Sequence, residues 1–152
     1  MFYLYKMAFS LKYKPVKLKS GNVIYRPMIP LTLEGNEKID VFAILDSGSD
    51  ISIIPKDIAT ILGIKNTGEN EIFGIGGNSL RSSEGIAKIS FGKGHEFYSF
   101  NIPVFIPEKE DVAIIIGRQG FFEHFDITFS EATRRIIFKK FNVDIKFNNK
   151  TV

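Results

Sequence analysis

The stretch that decides the fold runs from Ile44 to Pro55 and has the sequence Ile-Leu-Asp-Ser-Gly-Ser-Asp-Ile-Ser-Ile-Ile-Pro. Apolar residues stand on both sides of a short polar centre, which is typical of a tight turn between two buried strands. Asp46 opens that turn, so a carboxylate lies where burial is costly unless the group is hydrogen-bonded, paired or protonated. Asp-Ser-Gly alone is equally typical of an ordinary structural turn.

The flanking residues predict a hairpin before this turn and a helix after it. Residues 26–33 and 38–45 are two β runs joined by a polar turn at 34–37, so they should pair, and the second run leads directly into Asp46. Residues 55–63 begin with Pro and end with Gly, which predicts a two-turn helix that buries Ile58, Ile61 and Leu62 on one face.

The rest of the chain has the pattern of further strands. Period-two alternation or short apolar runs predict strands at residues 9–13, 80–91, 97–105, 112–116, 127–129, 135–140 and 141–147. Pro15 should end the first of them, and Ile86, Ile89 and Phe91 in the second should be available for packing. Residues 17–22 should be a basic, turn-rich connection, and residues 66–71 should be a polar loop. Residues 119–125 should form a helical turn, and three phenylalanines there are expected in the core: Phe121, Phe122 and Phe125.

Composition is that of one mostly-β globular domain. The 152 residues are 44% hydrophobic and 24% charged, with 15 Phe and no Trp. The absence of Cys excludes disulfides and thiolate metal sites, and His95 and His124 lie too far apart in sequence to suggest zinc, so we expect no metal. A net charge of +3 is modest, and no apolar stretch resembles a signal peptide or a membrane span. We therefore expect a cytoplasmic protein without nucleic-acid or membrane partners.

Three motifs together resemble those of retropepsin-like (retroviral-type) aspartic proteases. The turn at Asp46 resembles their active-site loop, Phe-Gly-Ile-Gly-Gly at residues 73–77 resembles their flap tip, and Ile-Ile-Ile-Gly-Arg at residues 114–118 resembles the segment before their last helix. The motifs stand in the order that this family requires. The resemblance covers roughly residues 25–140.

This resemblance implies an all-β fold, a closed and mostly antiparallel β-barrel with one or two short helices. It divides the chain into an N-terminal extension (1–24), a protease domain (25–140) and a C-terminal strand (141–152) that should help form a dimer interface. The implied activity is that of a homodimeric aspartic endopeptidase acting on extended peptides without a cofactor. Such chemistry needs two carboxylates, and this chain has one Asp-Ser-Gly, so the second should be Asp46 of an identical subunit.

The resemblance also assigns roles to individual residues. Asp46 is the catalytic residue, with loop support from Ser47, Gly48 and Ser49, whose hydroxyl could hydrogen-bond the Asp46 carboxylate. Asp50 and Arg118 should form a buried ion pair beside the site. The substrate-binding flap corresponds to Gly74, Ile75, Gly76 and Gly77.

Other readings of the same residues remain open. A non-catalytic peptide-binding or dimerisation module could keep this fold, and a basic nucleic-acid-binding barrel is a third option, although the sequence lacks a stripe of aromatic and basic residues. The glycines at 74–77 could form a nucleotide loop in another setting, but no helix with Lys-Ser/Thr follows them. The strand at 141–147 could fold onto its own subunit instead of joining a partner.

Overall fold

Strands dominate the residues that the structure, a computed structural model, describes: 8–74, 76–109 and 111–140. The elements, in chain order, are β1 (Phe9–Lys12), β2 (Lys14–Lys17), β3 (Val23–Arg26), β4 (Met28–Glu34), β5 (Lys38–Leu45), β6 (Ser52–Ile53), α1 (Lys56–Leu62), β7 (Gly68–Phe73), β8 (Ser79–Lys93), β9 (Glu96–Pro107), β10 (Ile115–Ile116), a 3-10 helix (Phe122–His124), β11 (Phe125–Ser130) and β12 (Arg135–Lys140). The strand predicted at 141–147 lies outside the described residues. Among the helices described, none is long and apolar enough to cross a membrane.

Six of the strands close into a barrel in the order β4-β5-β10-β6-β9-β8, because β8 returns to pair with β4. That closing contact places Thr32 opposite Ser90 and Glu34 opposite Lys88. Two contacts in the ring, β5 with β10 and β6 with β9, are parallel, and the others are antiparallel. Strand β7 pairs with β8 outside the ring, so the two project as a hairpin. The predicted closed, mostly antiparallel barrel is therefore confirmed.

Alternating side chains fill this barrel. In β4, Ile29, Leu31 and Leu33 are buried, whereas the residues between them face outward, as the two-residue period of a strand requires. Strands β5, β8, β9 and β10 add further fully or almost fully buried side chains, among them Ala43, Leu45, Ile89, Ile102, Val104 and Ile116.

An aromatic cluster closes one part of the core and joins a second sheet, β1-β12-β11, to the barrel. The rings of Phe9 on β1 and Phe138 on β12 stack with centroids 5.0 Å apart, and Phe138 packs edge-on against Phe91 of β8 at 5.3 Å. Phe121 and Phe125 are buried in the same cluster, as predicted, while Phe122 is partly buried.

Four local predictions were wrong in detail. Pro15 does not end a strand: the first strand ends at Lys12, and Pro15 lies inside β2 opposite Tyr25, where the missing N–H is tolerated because β2 pairs on one side only. Ile86 is exposed because Ala87 and Ile89 take the inward positions of β8. The segment predicted as a loop at 66–71 becomes strand β7 from Gly68, and the strand predicted at 112–116 is paired only at Ile115–Ile116.

The helix ends as predicted, but one of its apolar residues faces outward. Gly63 follows α1 in the left-handed conformation at φ 70°, which glycine adopts without strain. Ala59 and Leu62 are the buried residues of the helix, and Ile61 is exposed because it lies off their face.

Candidate active site

Asp46 stands where two parallel barrel strands end side by side. The backbone N–H of Ile44 donates to Ile114 O at 2.9 Å, and that of Asp46 donates to Ile116 O at the same distance. Strand β5 therefore holds Asp46 at the barrel rim, and the chain leaves it through a loop of residues 46–51 that leads to β6. We call residues 46–51 the aspartate loop.

The segment after β10 crosses the aspartate loop and fixes it through backbone hydrogen bonds. Arg118 N–H donates to Ser49 O at 2.9 Å, and Gln119 N–H donates to Asp50 O at 3.1 Å. A Cβ on Gly117 would lie 2.1 Å from Ile51 O, so glycine is required for this close approach. The loop geometry thus depends on main-chain groups more than on its own side chains.

Ser52 is a residue of this framework that the sequence analysis did not single out. Its side chain is fully buried, and its hydroxyl accepts the Gly117 N–H at 3.0 Å. The sequence signal for this role was a serine within a run of isoleucines that is expected to be buried. A buried hydroxyl needs a hydrogen-bond partner, so such a serine is expected to hold a neighbouring segment.

The Asp46 carboxylate is half-buried and holds one local hydrogen bond. Its Oδ1 accepts the Gly48 N–H at 2.9 Å, and a Cβ on Gly48 would lie 3.2 Å from that oxygen. Within the described residues no group donates to Oδ2. Ser47 and Gly48 are exposed, so the carboxylate lies on an open surface of the chain.

Two predicted contacts of this loop differ in the structure. The Ser49 hydroxyl donates to Ile51 O at 2.7 Å and not to Asp46, because the turn brings that carbonyl within reach and the hydroxyl has one proton to give. Asp50 and Arg118 do form the predicted ion pair, but their side chains are 79% and 56% exposed, so the pair is not buried in the single chain. Exposed pairs of this kind contribute about 0–1 kcal/mol.

The glycines of the predicted flap lie at the bend of the β7–β8 hairpin. Gly74 N–H donates to Asn78 O at 3.0 Å, and Gly77 N–H donates to Gly74 O at 3.2 Å. Gly76 and Gly77 have φ of +101° and +80°, and a Cβ on either would meet nothing within 4 Å. Ile75 lies outside the described residues. We call residues 74–78 the glycine tip; its described residues form no hydrogen bond with the aspartate loop.

The two histidines are apart from this site and from each other. His95 lies in the exposed β8–β9 turn, and the His124 ring packs on Phe100 with centroids 4.5 Å apart. Burial lowers the pKa of His124, and the charge of Lys140 lowers it further. The described residues contain no group of three or more His, Asp or Glu side chains that could hold a metal ion.

This chain is similar to two solved structures that are described as proteases. A retropepsin-like aspartic protease from Rickettsia conorii matches 93% of this chain and 98% of its own, with a TM-score of 0.55 and 14% identity. EIAV protease complexed with the inhibitor HBY-793 matches 61% of this chain and 82% of its own, with a TM-score of 0.48 and 20% identity. No family model and no curated protein matches the sequence. The chain has the retropepsin-like fold, as its three motifs predicted.

Proposed function

We propose that the protein is an aspartic endopeptidase that works as a homodimer, with Asp46 of each subunit at a shared site. The observation that carries this proposal is the state of the Asp46 carboxylate: it is anchored through Oδ1 on a loop fixed by backbone hydrogen bonds, while Oδ2 has no donor among the described residues. A reactive carboxylate needs both a fixed position and an unoccupied oxygen.

In the proposed reaction a water molecule lies between two Asp46 carboxylates that share one proton. The ionised carboxylate takes a proton from the water as its oxygen attacks the peptide carbonyl carbon, and the protonated carboxyl gives its proton to the carbonyl oxygen. Collapse of the resulting tetrahedral species breaks the C–N bond as the carboxyl that took the water proton gives it to the leaving amine, while the other carboxylate takes back a proton from the hydroxyl that becomes the carbonyl of the acid product. The two carboxylates exchange the roles of acid and base during the cycle. The proposed mechanism therefore uses only these two groups and water.

We infer the need for a partner subunit from the sequence, and the exposure of the site supports this inference. One chain contains one Asp-Ser-Gly, and Asp50 in the same loop is engaged by Arg118. Ser47, Gly48, Asp50 and Arg118 are all exposed, which leaves a polar face beside Asp46 for a second copy. We propose that residues 141–152 contribute to the same interface, although they lie outside the described residues.

The glycine tip is the proposed substrate lid. A hairpin that projects from the barrel and whose described tip residues carry little side-chain packing can close over an extended peptide and offer backbone groups to it. This role extends to Ile75 by its place in the tip sequence.

A non-catalytic module that binds peptides or dimerises is the second candidate. The hydrogen bond from Gly48 N–H to Asp46 Oδ1 joins residues two positions apart, which is the pattern of an ordinary Asx turn. A purely structural role of Asp46 would therefore account for the hydrogen bond at Oδ1. This candidate predicts binding without turnover.

Replacement of Asp46 by Asn distinguishes the two candidates. Asn keeps the shape and can still accept the Gly48 N–H, so the fold should persist, while peptide hydrolysis should fall by about a thousandfold or more because the acid–base group is lost. The assay is digestion of a peptide library, with circular dichroism and sedimentation as controls for fold and assembly. Hydrolysis at the wild-type rate by Asp46→Asn would exclude the mechanism.

A mixing experiment then tests whether the site is shared. Adding excess inactive Asp46→Asn subunits to wild-type protein should reduce activity as subunits exchange, because each mixed dimer holds one competent carboxylate. A single-chain enzyme would keep its activity in the same mixture, and that result would exclude the dimeric site.

A further inference from the structure

The charge of the chain is divided unevenly along its length. Residues 1–33 contain six cations and no carboxylate, and the first acidic residue is Glu34. The remaining 119 residues carry 14 cations against 17 carboxylates, a net charge of −3. The overall charge of +3 therefore conceals a strongly basic N-terminal part and a mildly acidic remainder.

Much of this basic part forms a separate hairpin of β2 and β3. The two strands constitute a sheet of their own, and the chain is anchored at the hairpin base by Tyr13 N–H to Arg134 O at 2.8 Å and by Leu45 N–H to Pro27 O at 2.9 Å. At the far end, Leu18 N–H donates to Asn22 O at 2.8 Å and closes the turn. The hairpin thus has a fixed base and an exposed end.

One face of the hairpin combines apolar and cationic groups. Pro15 lies opposite Tyr25 and Lys17 opposite Val23, and directly opposed residues share a face. Val23 is 52% exposed and Tyr25 42%. Together with two residues of the turn they form what we call the basic hairpin surface: Pro15, Lys17, Leu18, Lys19, Val23 and Tyr25.

The cations of this surface are not neutralised. Among the residues that the structure describes, neither Lys17 nor Lys19 pairs with a carboxylate. Arg134 adds a further charge, since its guanidinium lies 3.7 Å over the Tyr25 ring. Unpaired lysines around exposed aliphatic side chains and a tyrosine form the composition that a bilayer interface favours.

We propose that the basic hairpin surface binds the headgroup region of an anionic phospholipid bilayer, with Leu18 and Val23 entering the interface and the cations contacting lipid phosphates. Nucleic acid fits less well, because Tyr25 is the one aromatic residue of this surface and Arg134 already covers its ring. The sequence analysis expected no membrane partner from the lack of a spanning segment, and that argument does not apply to surface contact. The proposal is independent of Asp46 and of peptidase activity.

Vesicle flotation with a charge-matched control tests the proposal. Wild-type protein should bind vesicles of mixed phosphatidylcholine and phosphatidylglycerol and should dissociate from them at high salt. It should not bind vesicles of pure phosphatidylcholine. Lys17→Gln/Lys19→Gln should lower the partition coefficient roughly 30-fold, the effect of two surface lysines. Lys65→Gln/Lys93→Gln changes net charge equally at exposed positions elsewhere and should leave binding close to that of the wild type.

Three results would overturn this assignment. Two of them are equal binding to both vesicle types and equal losses in the two double variants. The third is a preference for another partner that Lys17→Gln/Lys19→Gln abolishes: either a DNA duplex over anionic vesicles or, in the absence of vesicle binding, a second copy of this chain.

Fluorescence tests the apolar part of the contact, since the chain contains no Trp. Leu18→Trp should shift its emission to the blue on anionic vesicles, whereas Ile61→Trp, at an exposed position of α1, should not. An unshifted Leu18→Trp would show that the hairpin does not enter the interface and would overturn that step.

Discussion

The aspartate loop and the glycine tip are both short, glycine-containing turns, but only the aspartate loop is hydrogen-bonded to and packed against another segment of the chain. The backbone N–H groups of residues 117–119 donate three hydrogen bonds to residues 49–52, and Gly117 packs directly against the Ile51 carbonyl. The described residues of the glycine tip bond only within their own hairpin, with open space around Gly76. Glycine therefore serves close packing in the first region and open space in the second, which agrees with the roles proposed for them, a fixed reactive group and a movable lid.

Gly117→Ala should have the largest effect on stability. The added Cβ would lie 2.1 Å from Ile51 O and 2.8 Å from Ser49 O, so backbone must move and the loop bonds must lengthen. We expect the free energy of unfolding to fall by about 3 kcal/mol or more. Urea unfolding measures this loss.

Gly76→Ala is the matched control for Gly117→Ala. It is the same chemical change in open space, and its cost should be about 1 kcal/mol, from the positive φ alone. If the two variants lost equal stability, the aspartate loop would be no more tightly held than the glycine tip, and the contrast between the regions would fail.

Gly76→Val should act on catalysis more than on stability. A β-branched residue restricts the backbone at φ +101° and crowds the lid, but it removes no buried contact. We expect kcat/KM for a peptide substrate to fall about tenfold or more, with a shift in the urea midpoint close to that of Gly76→Ala. Parallel losses of stability and activity would indicate a structural turn and not a lid.

Sequence patterns predicted the barrel well because its strands obey a simple period. The hairpin of β4 and β5, the end of α1 at Gly63 and the inward phenylalanines follow from alternation and turn chemistry. The predictions for Pro15 and Ile86 failed because each depends on a contact between distant parts of the chain. The place of Pro15 depends on which strand β2 pairs with, and the exposure of Ile86 depends on the register of β8 to within one residue.

The sequence motifs predicted which residues belong to the candidate site better than they predicted the contacts of those residues. Asp46 and the Asp50–Arg118 pair were identified from the sequence, and the structure brings all three to the same rim of the barrel. The Ser49 hydroxyl donates within its own turn, to Ile51 O, whereas the support from Ser52 depends on how residues 49–52 approach residues 117–119, more than 60 positions along the chain. No spacing within either motif encodes that approach.

Arg118→Gln should have the smallest effect in the separated subunit. The Arg118–Asp50 pair is exposed, and Gln supplies the same backbone N–H to Ser49 O, so the loop keeps its main-chain bonds. A double-mutant cycle with Asp50→Asn, measured by urea unfolding at concentrations that favour monomer, should give a coupling energy of about 0.5 kcal/mol.

In the proposed dimer the same pair should contribute more, because a second subunit would cover it. Burial removes solvent screening, so loss of one partner leaves an uncompensated charge, and Arg118→Gln should weaken dimerisation in sedimentation by more than it weakens the monomer. A coupling of several kcal/mol in the monomer would contradict the exposed geometry. Unchanged dimerisation would show that the dimer interface does not include the aspartate loop. The two Asp46 carboxylates could then not form a shared site.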